Sequence, residues 1–286
     1  MAAEAKQDDN YKGKNVKFEV SKNVGLDTIL LTQKLSEEAI KDHGSFRIAV
    51  SGGSFSKNFA KGLEELIKSE KNNIDFSKWK VFLADERCVD LENDDSNYKG
   101  FKGKFMEKAK DIKLENVFPI NSKLIKLDGD DEAKNNEKMC VITEEICDSY
   151  LKDILAEFNI DENNKDNIIP SFDCIYLGMG GDGHTASLFP DHQLLNSKKL
   201  VDFITNSPKP PPFRITLTLP LICNAKNIIF VVTGKAKQDA IKQISEINNN
   251  NDDNKKQTLP SGMVTEYAKG NVVWILDDDA AATAKL

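Results

Sequence analysis

The part of the sequence best suited to chemistry is a glycine-rich turn that carries one imidazole and one carboxylate, His184 and Asp182. It follows residues 172–177, an apolar run with aromatic and β-branched side chains that predicts a buried strand. Four glycines between residues 178 and 183 require the backbone to turn tightly or to approach another group closely. A histidine beside a carboxylate suits general acid–base catalysis near neutral pH.

Two other interpretations compete for this turn. Residues 178–183 match the dinucleotide-binding pattern G-x-G-x-x-G, and Asp202 lies at about the distance expected of its acidic partner. That pattern requires a long helix after the last glycine, whereas Pro190 limits any helix to about two turns. The second alternative is a solvated glycine turn with an incidental histidine. We prefer a catalytic or binding site.

Further polar residues lie at the ends of other predicted strands, and three of them are cations. A serine–glycine loop between a strand and a helix can bind phosphate through free N–H groups and the helix dipole. Arginine and lysine side chains add charge and hydrogen bonds to phosphate oxygens. The alternatives are a plain turn for the loop and an exposed ion pair for the acidic–basic segment at residues 85–87. The candidate substrate-binding residues are Ser51, Gly52, Gly53, Asp85, Arg87, Arg214 and Lys237.

The rest of the sequence alternates apolar strands with amphipathic helices. Residues 26–40 have the spacing of a helix that ends at Gly44, and residues 46–50, 79–84 and 228–232 have the composition of buried strands. The alternation predicts an α/β fold: a single domain with a largely parallel, doubly wound, Rossmann-like sheet and helices on both faces. In such sheets ligands bind beyond the carboxyl ends of the strands.

The limits of this domain follow from composition along the chain. Residues 1–15 are polar and predict a disordered tail, and residues 16–286 form the predicted domain. An asparagine-rich stretch near residues 248–256 indicates a surface insertion.

Overall composition disfavours several classes of protein. The 286 residues are 40% hydrophobic and 30% charged, with a net charge of −7, which is typical of a soluble protein and disfavours nucleic acid or an anionic membrane as partner. No apolar run approaches the ~18 residues of a membrane span. We expect a cytoplasmic protein that binds a small molecule, as a monomer or weak homo-oligomer. Ala284-Lys285-Leu286 is similar to the peroxisomal address S-K-L, so peroxisomal targeting is an alternative.

Cysteine and histidine usage bears on redox state and metal binding. The five cysteines are odd in number and widely spaced, which predicts reduced thiols and neither a disulfide framework nor a zinc site. Cys140 and Cys147 are seven residues apart on a predicted apolar helix face and are expected in the core. Cys88 is the one candidate for a reactive thiol. Without an H-E-x-x-H motif, we expect neither a catalytic metal nor a cofactor.

Several motifs occur in a characteristic order between about residues 46 and 282. They are Ser-Gly-Gly-Ser at 51–54, Asp-Glu-Arg-Cys-Val at 85–89, Ser-Asn at 96–97, Gly-Met-Gly-Gly-Asp-Gly-His-Thr-Ala-Ser-Leu-Phe-Pro at 178–190, Arg-Ile-Thr-Leu-Thr at 214–218 and Gly-Lys-Ala-Lys at 234–237. Together they resemble the 6-phosphogluconolactonases of the glucosamine-6-phosphate isomerase/deaminase-like superfamily. Deaminase relatives continue after Asp-Gly-His with Ile-Ala-Phe-Asn-Glu-Pro, so the string at 185–190 favours the lactonase branch.

The resemblance implies hydrolysis of 6-phospho-D-glucono-1,5-lactone to 6-phosphogluconate, the second step of the oxidative pentose phosphate pathway. It implies that His184 is the general base, that Asp182 orients the imidazole, and that the three cations and the loop at 51–53 hold the phosphate. Asp85 is expected to contact a substrate hydroxyl or to orient a neighbour. Two alternatives remain: a sugar-phosphate isomerase or deaminase with Asp85 as base, and a catalytically silent sugar-phosphate-binding protein.

Overall fold

A seven-stranded sheet forms the centre of the protein. The computed structural model describes residues 15–127, 132–164, 167–249 and 256–286. Within these residues the strands are β1 (Val16–Val20), β2 (Phe46–Val50), β3 (Trp79–Leu83), β4 (Asp85–Arg87), β5 (Val117–Phe118), β6 (Cys174–Leu177), β7 (Val201–Ile204), β8 (Arg214–Leu217), β9 (Asn227–Val232) and β10 (Asn271–Leu276). The helices are α1 (Val24–His43), α2 (Ser54–Lys68), α3 (Asn97–Phe101), α4 (Glu132–Glu157), α5 (Leu219–Ile222), α6 (Gln238–Asn249), α7 (Pro260–Tyr267) and α8 (Asp278–Ala281).

The large sheet has the strand order β1-β10-β9-β6-β2-β3-β5, and all its neighbouring strands are parallel. Parallel pairs require crossover connections, which place helices on the faces of the sheet. Tyr176 of β6 faces α1 and α2, with its hydroxyl 2.8 Å from Oγ1 of Thr32 and its ring against Phe59. Phe82 of β3 faces the other side, where its ring packs edge-on against Tyr150 of α4. The predicted α/β fold is confirmed.

A second, smaller sheet was not predicted. It has the order β4-β8-β7 and is antiparallel. The chain passes from the large sheet to the small one at Ala84, whose N–H donates to Val50 O and whose carbonyl accepts from Leu217 N, each at 2.8 Å. The small sheet carries Asp85, Arg87 and Arg214, so it brings three candidate residues to the end of β3.

Helix α4 fixes the end of β3. The buried hydroxyl of Tyr150 accepts a hydrogen bond from Leu83 N at 2.5 Å and donates one to Leu83 O at 3.0 Å. These bonds satisfy main-chain groups that the two-residue strand β5 does not reach, because β5 pairs only with Val81 and Phe82. Leu83, two residues before Asp85, is therefore held by β2 on one side and by Tyr150 of α4 on the other.

Several sequence-based boundaries need correction. Helix α1 is longer than predicted and ends, as predicted, at a left-handed Gly44 with φ of 83°. Strand β1 and helix α7 were not predicted. Residues 1–14 of the predicted tail lie outside the described residues, but Asn15 is anchored, since its carbonyl accepts from Val272 N at 3.0 Å. Most of the predicted insertion, residues 250–255, also lies outside the described residues.

The predictions for Cys140 and Cys88 were wrong, and the prediction that Cys147 lies in the core was right. Cys140 is exposed, whereas Cys147 is buried. The buried stripe of α4 passes through Met139, and one further residue turns a helical side chain by about 100°, away from the sheet. Cys88 is also buried, and burial raises the pKa of its thiol to about 12. A thiol in this environment is a poor nucleophile.

Candidate active site

The candidate residues lie at the carboxyl ends of four adjacent strands of the large sheet. β2 leads into the loop at 51–53, β3 into Asp85, β6 into the glycine turn, and β9 into the turn that carries Lys237. These strands are neighbours in the order β9-β6-β2-β3. Because parallel strands end at the same edge of a sheet, residues distant in sequence meet in one region.

His184 and Asp182 form a close pair on the glycine turn. Nδ1 of His184 lies 2.5 Å from Oδ1 of Asp182. The imidazole stacks on the ring of Phe189, with a centroid distance of 4.9 Å and an interplanar angle of 29°. Gly180 lies directly against both side chains, and a β-carbon at that position would collide with them. The motif at 178–190 thus contains the His184–Asp182 pair, the Phe189 ring on which the imidazole stacks, and the glycine that leaves room for both side chains.

The surroundings of the pair set its protonation. Burial lowers the pKa of His184; the hydrogen bond to Asp182 opposes this change, and the charge of Lys209 adds to it. For Asp182, burial favours the neutral form, but hydrogen bonds from His184 and Lys209 outweigh it and lower the pKa to about 2. A carboxylate beside Nδ1 selects the tautomer with hydrogen on Nδ1. Nε2, which has no hydrogen-bond partner within the described chain, then carries the free lone pair.

Lys209 belongs to this site, although sequence analysis missed it. Its ammonium lies 3.1 Å from Oδ2 of Asp182 and 3.1 Å from Nδ1 of His184. Nδ1 cannot donate to Asp182 and accept from Lys209 at once, so we assign the amine's hydrogen bond to Asp182. The sequence feature that could have indicated Lys209 is its place in a proline-rich segment, residues 208–212, shortly before Arg214.

Arg214 holds the segment that carries Lys209. It is 3% exposed. Its Nε donates to Pro211 O at 2.9 Å, and its Nη2 donates to the carbonyls of Lys209 and Pro210 at 2.8 and 2.9 Å. Its Nη1 lies 3.5 Å from Oγ of Ser187. Most of the guanidinium's donors therefore hold protein carbonyls, and Nη1 is the group best placed for a ligand.

Asp85 joins the serine–glycine loop to the glycine-turn motif. It is buried, and its two oxygens accept hydrogen bonds from the hydroxyls of Ser51 and Ser187, each at 2.9 Å. Ser187 was not among the predicted site residues, although it lies in the motif at 178–190. Each carboxylate oxygen accepts one hydrogen bond from a serine, so Asp85 orients Ser51 and Ser187 and keeps one further acceptor position on each oxygen.

The loop at 51–53 has the features of an anion cradle. Gly53 has a φ of 75°, and helix α2 begins after it without a side-chain cap. The N–H groups at this helix end therefore remain available. Gly52 lies so close to the side chain of Asn97 that a β-carbon would collide with it.

Arg87 faces Arg214 across the small sheet. The two residues are paired in register between β4 and β8. Nη1 of Arg87 donates to Asp95 O at 2.7 Å, but its buried Nε has no partner among the described residues. Burial, and then the charge of Arg87, lowers the pKa of Arg214. Two adjacent guanidiniums with a buried unsatisfied donor favour an anionic ligand here.

Lys237 completes the cationic side of the site. It lies in a single helical turn, Lys235–Lys237, whose Ala236 carbonyl packs against Gly181 of the glycine turn. Burial, and then the charge of Lys209, lowers the pKa of Lys237, and Asp182 opposes both effects. The charges of Lys209 and Asp182 therefore reach Lys237, which places it on the same side of the site.

In the parts of the chain that are described, no three His, Cys, Asp or Glu side chains are grouped closely enough to hold a metal ion. None of the helices in those parts combines the length and apolar character needed to cross a membrane.

The sequence of the chain matches a known protein family. The model of a family described as glucosamine-6-phosphate isomerases/6-phosphogluconolactonase matches residues 24–274. The chain belongs to this family. It is 38% identical over 248 residues to a Schizosaccharomyces pombe protein named "Probable 6-phosphogluconolactonase", covering 86% of each chain. It is 36% identical over 267 residues to the Arabidopsis thaliana "6-phosphogluconolactonase 3, chloroplastic", covering 93% of this chain and 73% of that one.

Two solved structures share the fold of this chain. The 6-phosphogluconolactonase from Trypanosoma cruzi superimposes with a TM-score of 0.71 over 97% of this chain and 100% of its own, at 23% identity. A monomeric glucosamine-6-phosphate deaminase superimposes with a TM-score of 0.64 over 94% of this chain and 99% of its own, at 18% identity. A protein named 6-phosphogluconolactonase and one named glucosamine-6-phosphate deaminase both have this fold, so the fold alone does not choose between their reactions.

Proposed function

We propose that this protein hydrolyses 6-phospho-D-glucono-1,5-lactone to 6-phospho-D-gluconate in the oxidative pentose phosphate pathway. The observation that carries the proposal is the imidazole of His184, with lowered pKa, Nδ1 held by Asp182, and Nε2 without a partner in the described chain. Curated relatives at 34–38% identity bear the name 6-phosphogluconolactonase, which supports the assignment.

The proposed reaction uses His184 as base and then as acid. Nε2 takes a proton from water while the water oxygen bonds to the lactone carbonyl carbon, and the carbonyl electrons move onto the carbonyl oxygen. When this tetrahedral intermediate collapses, the bond to the ring oxygen breaks and His184 returns the proton to that oxygen. The lactone is an activated ester, so one base that contributes ~10²–10⁴-fold, together with positioning, is sufficient.

Asp182 and Lys209 support this cycle electrostatically. Asp182 keeps hydrogen on Nδ1 and stabilises the imidazolium that forms after the first proton transfer. Lys209 compensates the carboxylate in the resting state, which keeps His184 neutral. N–H groups of the glycine turn are candidates to stabilise the oxyanion of the intermediate.

The phosphate is proposed to bind between Arg87, the loop at 51–53 and Lys237, with Nη1 of Arg214 at the edge. The buried unpaired Nε of Arg87 and the uncapped start of α2 support this position. Asp85 then orients Ser51 and Ser187 through one hydrogen bond to each of its oxygens.

The remaining parts of the proposal concern metals, assembly and location. We propose that the reaction needs no metal ion, since His184 activates the water and N–H groups of the glycine turn are available to the oxyanion. We propose a monomer or weak homo-oligomer in the cytoplasm, without nucleic acid as a partner; analytical ultracentrifugation would detect a stable oligomer. An N-terminal fluorescent fusion would test Ala284-Lys285-Leu286, and a peroxisomal signal would replace the cytoplasmic assignment.

The decisive experiment is a coupled assay on fresh 6-phosphogluconolactone, with 6-phosphogluconate measured through its dehydrogenase and spontaneous hydrolysis subtracted. We expect acceleration that survives EDTA and is lost in His184→Ala. Loss of activity in EDTA would refute metal independence. No acceleration by the unmodified protein would refute the lactonase proposal; ammonia release from glucosamine 6-phosphate would then indicate a deaminase, and ligand binding without turnover a binding protein.

A further inference from the structure

Glu86 is a fully buried carboxylate between two site residues, Asp85 and Arg87, and the proposed reaction does not use it. Its Oε1 accepts hydrogen bonds from Arg87 N and Asn97 N, both at 2.7 Å. Its Oε2 accepts from Oγ of Ser96 at 3.0 Å and from Tyr98 N at 2.8 Å. All four acceptor positions of a carboxylate are thus occupied.

The segment that Glu86 holds contacts the site at two places. The carbonyl of Asp95 accepts the hydrogen bond from Nη1 of Arg87. The side chain of Asn97 donates from Nδ2 to Asp85 O at 2.8 Å and lies directly against Gly52. Residues 95–98 therefore fix the position of Nη1 of Arg87 and pack against one side of the serine–glycine loop.

We infer that Glu86 is a positioning residue that holds residues 95–98 so that Arg87 and the loop at 51–53 can bind a phosphate group. This inference rests on the proposed phosphate site. Only a carboxylate supplies two oxygens that each accept two hydrogen bonds. A glutamine supplies one such oxygen, and its amide would face the N–H of Tyr98 or Asn97.

Glu86→Gln at about pH 8, where Glu86 is mainly ionised, tests the inference. The matched control is Glu157→Gln, which alters another carboxylate that binds Nε of Arg47 at 3.1 Å and Nζ of Lys80 at 3.5 Å. Arg47 and Lys80 lie near the amino ends of β2 and β3, away from the site. Ser96→Ala removes one hydrogen bond to Glu86, together with the N-cap hydrogen bond that Oγ of Ser96 accepts from Lys99 N, and serves if Glu86→Gln does not fold.

The probes are inorganic phosphate and 6-phosphogluconate, titrated by calorimetry. We expect Glu86→Gln to weaken both by about tenfold or more, since small displacements of binding groups have effects up to about 10²-fold. Ser96→Ala should weaken them less, and Glu157→Gln should bind as the unmodified protein does. If Glu157→Gln loses as much affinity as Glu86→Gln, the effect is general destabilisation and the inference fails.

A second readout separates positioning from structural support. Glu86→Gln should raise KM for the phosphorylated lactone and leave the rate on non-phosphorylated gluconolactone nearly unchanged. Equal losses on both lactones would overturn the inference, and so would an unmodified protein that binds neither probe. An unmodified protein that binds phosphate but does not hydrolyse the lactone refutes the proposed function alone, because the calorimetric comparison still decides the role of Glu86.

Discussion

Replacing Lys209 by methionine tests the electrostatic control of His184. The ammonium lies 3.1 Å from both Nδ1 of His184 and Oδ2 of Asp182. The positive charge of Lys209 disfavours the imidazolium directly. The carboxylate of Asp182 favours the imidazolium, and the charge of Lys209 weakens this influence. Both effects disappear with the amine. The substitution should therefore make His184 easier to protonate, and the base should be lost at a higher pH.

The degree of solvent screening determines the size of this effect. Two unit charges about 4 Å apart interact by about 1 kcal/mol in water and by about 4 kcal/mol at an effective dielectric constant of about 20. The Lys209 side chain is 45% exposed, so the value for water is the better guide. Because about 1.4 kcal/mol corresponds to one pH unit, the acid limb of the kcat/KM profile should move by about one unit towards higher pH.

The assay is the pH profile of kcat/KM on the phosphorylated lactone, corrected at each pH for spontaneous hydrolysis. Lys235→Met is the control, because it removes the same charge from an exposed lysine on the turn that carries Lys237. Its acid limb should stay in place. An acid limb that stays in place or moves towards lower pH in Lys209→Met would refute the electrostatic argument.

Three further substitutions test other parts of the site. His184→Ala should lower kcat by ~10²–10⁴-fold with KM nearly unchanged; His192→Ala is the matched control, and a large change in KM alone would assign His184 to binding. Arg214→Lys should lower the free energy of unfolding by about 1–3 kcal/mol, because lysine cannot donate to all three carbonyls that Arg214 binds in residues 209–211. An unchanged melting temperature would contradict this. Burial raises the pKa of Glu86 from 4.5 to about 7, so ionisation of Glu86 costs the native state free energy, and stability falls as the pH rises from about 4.5 through about 7. The unfolding free energy of the unmodified protein relative to Glu86→Gln should therefore fall by about 3 kcal/mol between about pH 5 and pH 8, and urea unfolding that shows a rise would exclude it.

The His184–Asp182 pair could be predicted because local features determine it. A buried strand followed by a glycine turn places both side chains at the carboxyl end of a parallel sheet, and the pair is only two residues apart. The strands of the large sheet could be predicted for a similar reason, since strands such as β6 are buried throughout and apolar throughout.

Lys209 and the small sheet could not be predicted because tertiary contacts determine them. Lys209 lies in the connection between β7 and β8, and the hydrogen bonds of Arg214 to that connection hold it in place. Strand β4 has the sequence Asp-Glu-Arg, which contains no apolar alternation. Helix α7 contains Gly262 and β-branched residues, which lower helix propensity, so its sequence gives little helical signal.

The small sheet has a consequence for the order in which the site forms during folding. The hydrogen bond between Ser187 and Asp85 joins residues 102 positions apart, and the pairing of β4 with β8 joins positions still more distant. Contacts with such large sequence separation form slowly, because a long loop must close first. The protein should therefore regain activity late in refolding, after the helices have formed. Recovery of turnover then reports complete folding, which a spectroscopic signal from helices does not.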